Sequence, residues 1–408
     1  MSQLIPAVPV GRGQVIDAIR GGNQTSRVDL VKLLASNPAT ISTIVRELIV
    51  DGLVAETGRA PSTGGKPRVL LSLVPESRYA VGVSLDQSGI SYVVANLDGA
   101  IIGRLRRPGA GDARPADVVE RIGMELMSLV HRVGVDPGKL LGVGVVSPGP
   151  ITGAQGMALT PPAMQAWRDY PLADALQDAT GLRVLVENDA SAAAVGEYWA
   201  GPAAASRCFA ALYMGTGIGS GLVIDGRLHR GVSGNTGEIG HNCVDLSGPP
   251  CWCGAQGCLE VVAGPRAVVA AAVARGLTVP GVSVFDDFAA VARLAMKGDP
   301  VASELLAQSA SSVAVAIQSL CNIMDPDLIV LTGPAFTTAG SIYLPIIQER
   351  LDTTCMARDC HHIEVSLSLN AAEAASIGGA ALVLQSELVF RPASTPEVVP
   401  SNGALNRV

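Results

Sequence analysis

Apolar residues recur at helical spacing near the start of the chain. Ile41, Ile44, Val45, Leu48 and Ile49 fall at i, i+3, i+4, i+7 and i+8, one helix face turned to a core. Asn37 precedes this run as an N-cap, and Pro38 takes the first helical position, where a missing N–H is harmless. Two shorter helices come before it. One spans residues 12–20, with Val15, Ile16 and Ile19 on one side and Gly21-Gly22-Asn23 as its stop; the other is capped by Ser26 and expected to bury Val28, Leu30, Leu33 and Leu34. After Gly52 the pattern turns extended. Residues 53–56 and 68–73 read as two strands of a hairpin, joined by a loop with Arg59, Ser62, Thr63, three glycines and Lys66. Helix, short turn, helix and hairpin is the plan of a winged helix-turn-helix, whose second helix enters a major groove while the wing lies on phosphates. Thr40, Ser42, Thr43 and Arg46 oppose the apolar stripe, so with Arg59 and Lys66 they are the candidate DNA contacts. A three-helix protein-interaction module of the same shape is the alternative.

The rest of the chain alternates strands and helices. Strands at 79–85, 90–97 and 101–107 are followed by a helix at 116–133 and a continuous apolar strand at 140–146, an α/β pattern. A strand at 183–186 leads into a helix at 190–199. The hairpin pattern then returns at 209–214 and 221–224, around a glycine turn at 215–220. Helices are expected at 265–275, 285–296, 301–325, 342–351 and 371–384, with strands at 328–331 and 363–369. Residues 391–408 are polar and proline-rich and are expected to be a disordered tail. The expected domains are therefore 1–75 and 76–390, plus that tail.

Composition adds three points. Apolar residues make up 48% of the 408 but aromatics only 3%, so the core must be built on Ala, Val and Leu. No run approaches the ~18 uncharged apolar residues of a membrane span, and no basic segment followed by an apolar one opens the chain, so a cytoplasmic protein is expected. Net charge is −7 but uneven: residues 1–75 carry eight Lys/Arg against five Asp/Glu, and the remainder carries −10. A mildly basic head on an acidic body fits a head that meets a polyanion.

The densest chemistry lies between Gly237 and Glu260. His241, Cys251, Cys253 and Cys258 sit within eighteen residues, at a spacing that fits a tetrahedral structural Zn2+ with three sulfurs and one nitrogen. Glu238 and Glu260 flank this set, placed to meet a polar ligand beside the metal. The other cysteines, Cys208, Cys243, Cys321, Cys355 and Cys360, are expected to pack as buried small hydrophobes. Asp189 stands at a strand end beside a helix N-terminus, where a carboxylate suits a base, an acceptor for a hydroxyl, or simply a helix cap. Gly215-Thr216-Gly217 opens a glycine-dense turn whose N–H groups could cradle a phosphate.

Several of these segments resemble the ROK family of repressors, open reading frames and sugar kinases. The carrying motifs are GEIGH at 237–241 followed by CxCGxxGCLE at 251–260, E-N-D-A at 187–190, and the wing sequence Ser62-Thr63-Gly64-Gly65-Lys66-Pro67. The resemblance implies an actin-like, ribonuclease-H-like body of two lobes behind a winged helix-turn-helix. It implies a sugar site from Asn188, Asp189, Glu238, His241 and Glu260, and vestigial nucleotide contacts at Gly215, Thr216, Gly217 and Gly333. Two departures stand out. Where family kinases carry D-x-G-G-T, this chain keeps Asp86 and Gly89 but has Ser88 and Ile90; where they carry P-N, it has Pro162-Ala163. The first departure argues against use of ATP. The expected function is a nucleoid-associated, non-enzymatic transcriptional regulator, a homodimer or homotetramer, that binds double-stranded operator DNA and answers to a sugar or sugar-phosphate. The alternatives are an ATP-dependent hexose kinase that retains a DNA-binding head, in which Asp189 would be the base, and a zinc-stabilised interaction protein.

Overall fold

The computed structural model describes residues 10–22, 25–59, 67–149, 151 and 162–389. The head comprises α1 (Arg12–Gly21), β1 (Thr25–Ser26), α2 (Arg27–Leu33), α3 (Pro38–Val50), β2 (Val54–Arg59) and β3 (Val69–Leu73). Both expected caps form. The Ser26 hydroxyl accepts from the Asp29 N–H while Asp29 Oδ2 accepts from the Ser26 N–H, and Asn37 Oδ1 accepts from the Thr40 N–H at 2.8 Å. Ile41, Ile44, Val45 and Leu48 are buried as the pattern requires. The second helix departs from expectation: only Leu30 is buried, while Val28 is 49% and Leu33 68% exposed, because a seven-residue helix has one inward turn to offer. β1, β3 and β2 form an antiparallel sheet in that order, tied to α2 by Arg27–Glu56 and Arg68–Asp29 ion pairs. Lys66 and the wing tip lie outside the described residues, as does the 391–408 tail.

The body builds one sheet twice. The first half runs β4 (Tyr79–Leu85), β5 (Gly89–Asn96), β6 (Ile101–Pro108), α4 (Pro115–Arg132), β7 (Leu140–Ser147), α5 (Leu172–Thr180), β8 (Val184–Asn188) and α6 (Asp189–Ala200). The second runs β9 (Cys208–Met214), β10 (Ile218–Ile224), β11 (Arg227–Leu228), α7 (Leu259–Ala263), α8 (Pro265–Ala274), α9 (Val284–Met296), α10 (Pro300–Met324), β12 (Leu328–Thr332), α11 (Phe336–Thr354), β13 (Glu364–Leu367) and α12 (Ala374–Val389). Strand order is β6-β5-β4-β7-β8 in one sheet and β11-β10-β9-β12-β13 in the other, with the first three strands antiparallel and the last two parallel in both. The expected turn at 215–220 is shorter, since β10 already begins at Ile218. The helix expected at 342–351 begins at Phe336, and α5 was not foreseen. α10 is long and apolar enough to cross a membrane by length and composition, but half of its most apolar window is buried within the protein.

α12 and α6 lie between the two sheets, α12 against β4 and β7, α6 against β9 and β10, and each against the other. Small residues let these layers approach backbone to backbone. A Cβ on Gly144 would lie 2.0 Å from the Gly379 carbonyl oxygen, one on Gly378 1.7 Å from that of Ala192, and one on Gly221 2.4 Å from that of Ala190. The Ala/Gly-rich composition is what makes this central seam thin.

Candidate functional site

β8 delivers Asn188 and Asp189 to the cleft between the lobes. Asn188 Oδ1 caps α6 by accepting from the Ser191 N–H at 3.0 Å, and its amide donates to the Gly149 carbonyl at 3.3 Å. With both ends of its side chain engaged, Asn188 fixes the position of its neighbour. Asp189 follows as the first residue of α6. It lines a cavity of about 640 Å³ shared with Glu238, His241, Trp252, Glu260, Thr216 and Arg266. All five residues expected at a sugar site thus converge on one space, of a size ordinary for small-molecule sites.

Charge is crowded there. Asp189 touches the cavity but is otherwise deep in protein; burial, then the neighbouring Asp86 and Glu238 carboxyls, push its pKa up to about 8. Burial and Glu260 also raise Glu238, and burial raises Asp86. Glu260 is held by two donors: Trp252 Nε1 to Oε1 at 2.8 Å and the Ile218 N–H to Oε2 at 3.2 Å. Any side chain at Gly217 would strike Glu260 Oε2, at 2.2 Å from the Cβ, so that glycine makes room for the carboxylate.

His241, Cys251, Cys253 and Cys258 form a compact donor set. Their ligand atoms all lie within 4.8 Å of one another, with His241 Nδ1 to Cys251 Sγ at 3.6 Å and Cys253 Sγ to Cys258 Sγ at 3.7 Å. Tetrahedral Zn–S bonds of ~2.3 Å give edges of ~3.8 Å, so the four residues fit Zn2+. Two left-handed glycines, Gly254 (φ +95°) and Gly257 (φ +67°), turn the loop around the set, and a Cβ on Gly257 would overlap the Asp245 carbonyl oxygen at 1.6 Å. Nδ1 is the His241 atom that faces Cys251 Sγ, so a metal held by the set would be met through Nδ1 and Nε2 would remain for a molecule in the cavity. Trp252 packs edge-on to the His241 ring, centroids 4.9 Å apart. Of the remaining cysteines, Cys321 and Cys355 are buried as expected, Cys208 is half-buried, and Cys243 and Cys360 are exposed: each of these two sits in a surface loop rather than on a core-facing element.

The expected phosphate turns meet each other. Asp86 Oδ1 accepts from the Ser88 N–H at 2.7 Å, and Oδ2 accepts from the Thr216 hydroxyl at 2.8 Å across the cleft. Beside it Arg266 donates to Gln87 Oε1 at 2.6 Å. Asp86, Ser88, Gly89 and Ile90 line a second, smaller cavity of about 310 Å³ with Pro334 and Thr337. Gly333 (φ +103°) ends β12 with its backbone against Met214, and Gly215 closes the opposite turn through its N–H to the Gly217 carbonyl. In the head, Thr43, Arg46 and Arg59 are exposed, and Thr40 and Ser42 are half-buried on the same helix.

The sequence reading missed Trp252, Met164 and Arg266 as cavity residues. Trp252 had a signal, its place between two cysteines of the candidate metal set. Met164 and Arg266 had none, because the short turn carrying Met164 and the first turn of α8 carrying Arg266 reach the cavity only through tertiary packing.

Residues 80–386 match the sequence profile of the ROK family. The chain is 28% identical over 385 residues to a protein named putative xylose repressor from Caldicellulosiruptor sp. (strain Rt8B.4), covering 92% of this chain and 96% of that one. Its fold matches the crystal structure of a ROK family transcriptional regulator described as a homolog of the E. coli MLC protein, with TM-score 0.73 and 26% identity over 92% of this chain and 96% of that one. It also matches a ROK family glucokinase from Streptomyces griseus in complex with glucose and AMPPNP, with TM-score 0.64 and 27% identity over 74% of this chain and 98% of that one.

Proposed function

This chain belongs to the ROK family, and from that premise we propose that it is a sugar-responsive transcriptional repressor rather than a sugar kinase. The observation that carries the reading is the joining of a three-helix head with its own three-stranded sheet, which we read as a winged helix-turn-helix, to a sugar-kinase-like body in one chain. The regulator match extends over 92% of the chain, whereas the glucokinase match extends over 74%. In this reading α3 enters a major groove through Thr43 and Arg46, and Arg59 and Lys66 of the wing meet phosphates. The head serves as half of a paired reader in a cytoplasmic homodimer or homotetramer. The effector sits among Asp189, Glu238, His241 and Glu260, with Asn188 fixing Asp189, and D-xylose is the first candidate. Zn2+ held by His241, Cys251, Cys253 and Cys258 orients His241 toward that effector. Ser88 and Ile90 stand where the family's kinases carry glycine and threonine, which favours a non-enzyme; Gly215, Gly217 and Gly333 then remain as backbone turns.

Genomic DNA fragments captured by the purified protein, with and without a sugar panel, test the reading. Enrichment of one palindromic site, released by one sugar, is expected. No enrichment, together with ATP consumption on adding a hexose, would move the assignment to a kinase. Two substitutions extend the test. Arg46→Ala should weaken operator binding by about 1–3 kcal/mol in a gel-shift titration if Arg46 reads a base; unchanged binding would remove it from the interface. Cys253→Ser should abolish bound zinc, measured by elemental analysis, and lose the sugar response while operator binding in the full chain persists. A zinc-free variant that still responds to sugar would refute the role given to the metal.

A further inference from the structure

α6 begins in the ligand cavity and ends against the head. Asp189, its first residue, lines the cavity. Ten residues on, about 15 Å along a helix rising ~1.5 Å per residue, the Trp199 ring lies against the Arg20 guanidinium, 3.4 Å from the ring centroid. Arg20 stands in the last turn of α1. The two bodies also share apolar packing, since Val15, Ile16 and Ile19 of α1 belong to one buried cluster with Ala380, Val383 and Leu384 of α12.

This joint is packed but not fully satisfied. Among the described residues, Arg20 Nη1 and Trp199 Nε1 are both buried without a hydrogen-bond partner. Arg20 is otherwise held by Asp17, at 3.0 Å from Nη2 to Oδ1. Burial works against both charges of that pair, lowering the pKa of Arg20 and raising that of Asp17. Beside them a cavity of about 470 Å³ is lined by Gln14 and Asp17 of α1, Tyr198 of α6 and Leu382 of α12. A joint with only a structural duty gains from complete hydrogen bonding and filled space. At the stack itself, parting the two side chains loses a cation–π contact but gives two donors access to water, so their stacked and unstacked arrangements lie close in energy while the apolar cluster of α1 and α12 stays packed. A small bias from elsewhere is then enough to shift the population.

We propose that the Arg20–Trp199 stack is the contact through which an occupied ligand site repositions the DNA-binding head. α6 acts as the rod. It is clamped along its length against α12, where Gly378 and Ala192 touch backbone to backbone, so a ligand that pulls on Asp189 shifts the helix as a unit rather than bending it. Trp199 and Arg20 are positioning residues that touch neither ligand nor DNA. The proposal rests on the repressor reading above.

The test uses the full-length protein, the DNA fragment selected by the wild type, and D-xylose as first probe followed by D-glucose. Trp199→Leu removes the ring but keeps an apolar side chain; Arg20→Met removes the guanidinium but keeps the stem. Operator Kd is measured with and without saturating sugar, and sugar Kd by calorimetry without DNA. A wild-type shift of about 5- to 150-fold in operator Kd should collapse to under about 2-fold in both variants, with sugar Kd held within about 3-fold. A merely structural contact would change stability and leave the ratio of operator affinities intact, and that outcome overturns the proposal. If Trp199→Leu does not fold, Arg20→Met decides alone. A wild type that binds operator yet shows no shift with any sugar brings down the repressor reading itself, which distinguishes that failure from failure of the stack.

Discussion

Replacing Asp189 by Asn should make the ligand-free protein more stable at neutral and alkaline pH while removing its response to sugar. The carboxyl sits among Asp86 and Glu238 in a buried cleft, and its pKa is pushed up to about 8. In the unfolded chain it returns to the ordinary value of 3.8. Between these values the native state holds a proton that the unfolded state has released, so stability falls as pH rises through the window and levels off above it. Asn keeps the shape and has no proton to lose. The melting temperature of Asp189→Asn should match the wild type near pH 4 and exceed it by at least ~3 °C at pH 8. Above pH 8, where the carboxyl is ionised, sugar affinity should fall by about 10- to 150-fold, as expected for losing a charged acceptor of a hydroxyl hydrogen bond. Parallel thermal melts across pH 4–9 and calorimetric titration check both parts. A temperature gap that does not widen with pH would contradict the electrostatic account, and undiminished sugar binding would remove Asp189 from the ligand site. Together the two effects describe a site that keeps a destabilising group because its function needs it.

Gly378→Val is expected to prevent accumulation of folded protein. The added Cβ would lie 1.7 Å from the Ala192 carbonyl oxygen and 2.4 Å from its carbon. Both belong to the backbone of α6, so no rotamer change relieves the clash. The contact is reciprocal, since a Cβ on Gly196 would lie 2.2 Å from the Ala374 carbonyl oxygen of α12. Separating α6 from α12 would open the seam between the two sheets and displace Asp189 with it. A loss above ~4 kcal/mol follows, the range of overpacking that the structure cannot absorb. Gly21→Ala is the control, because nothing lies within 4 Å of its would-be Cβ at the end of α1. It should be neutral or stabilising by up to ~1 kcal/mol. Chemical denaturation of both variants reads the difference, and a soluble, cooperatively unfolding Gly378→Val protein would show that the helix pair is looser than the geometry implies.

The sequence by itself determined what short-range physics controls. The caps at Ser26 and Asn37 and the inward face of α3 depend on neighbours within a turn or two of helix, and they form as read. The His241, Cys251, Cys253 and Cys258 set spans eighteen residues with fixed glycine turns, so its spacing alone nearly dictates its geometry. The duplicated strand pattern was visible as well. What only the tertiary structure decided is what distant segments do to each other. The exposure of Val28 and Leu33 follows from how much of a short helix the head can cover. Asp86 meets Thr216 across 130 residues of chain, Arg266 reaches Gln87 across 179, and Trp199 meets Arg20 in another domain-sized unit. No periodicity encodes those meetings. They arise because two sheets of the same strand order are drawn together through glycines on two central helices, which brings carboxylates into one cleft and raises the pKa of Asp189. A local pattern fixes which way a side chain points; only the packed fold fixes what it points at.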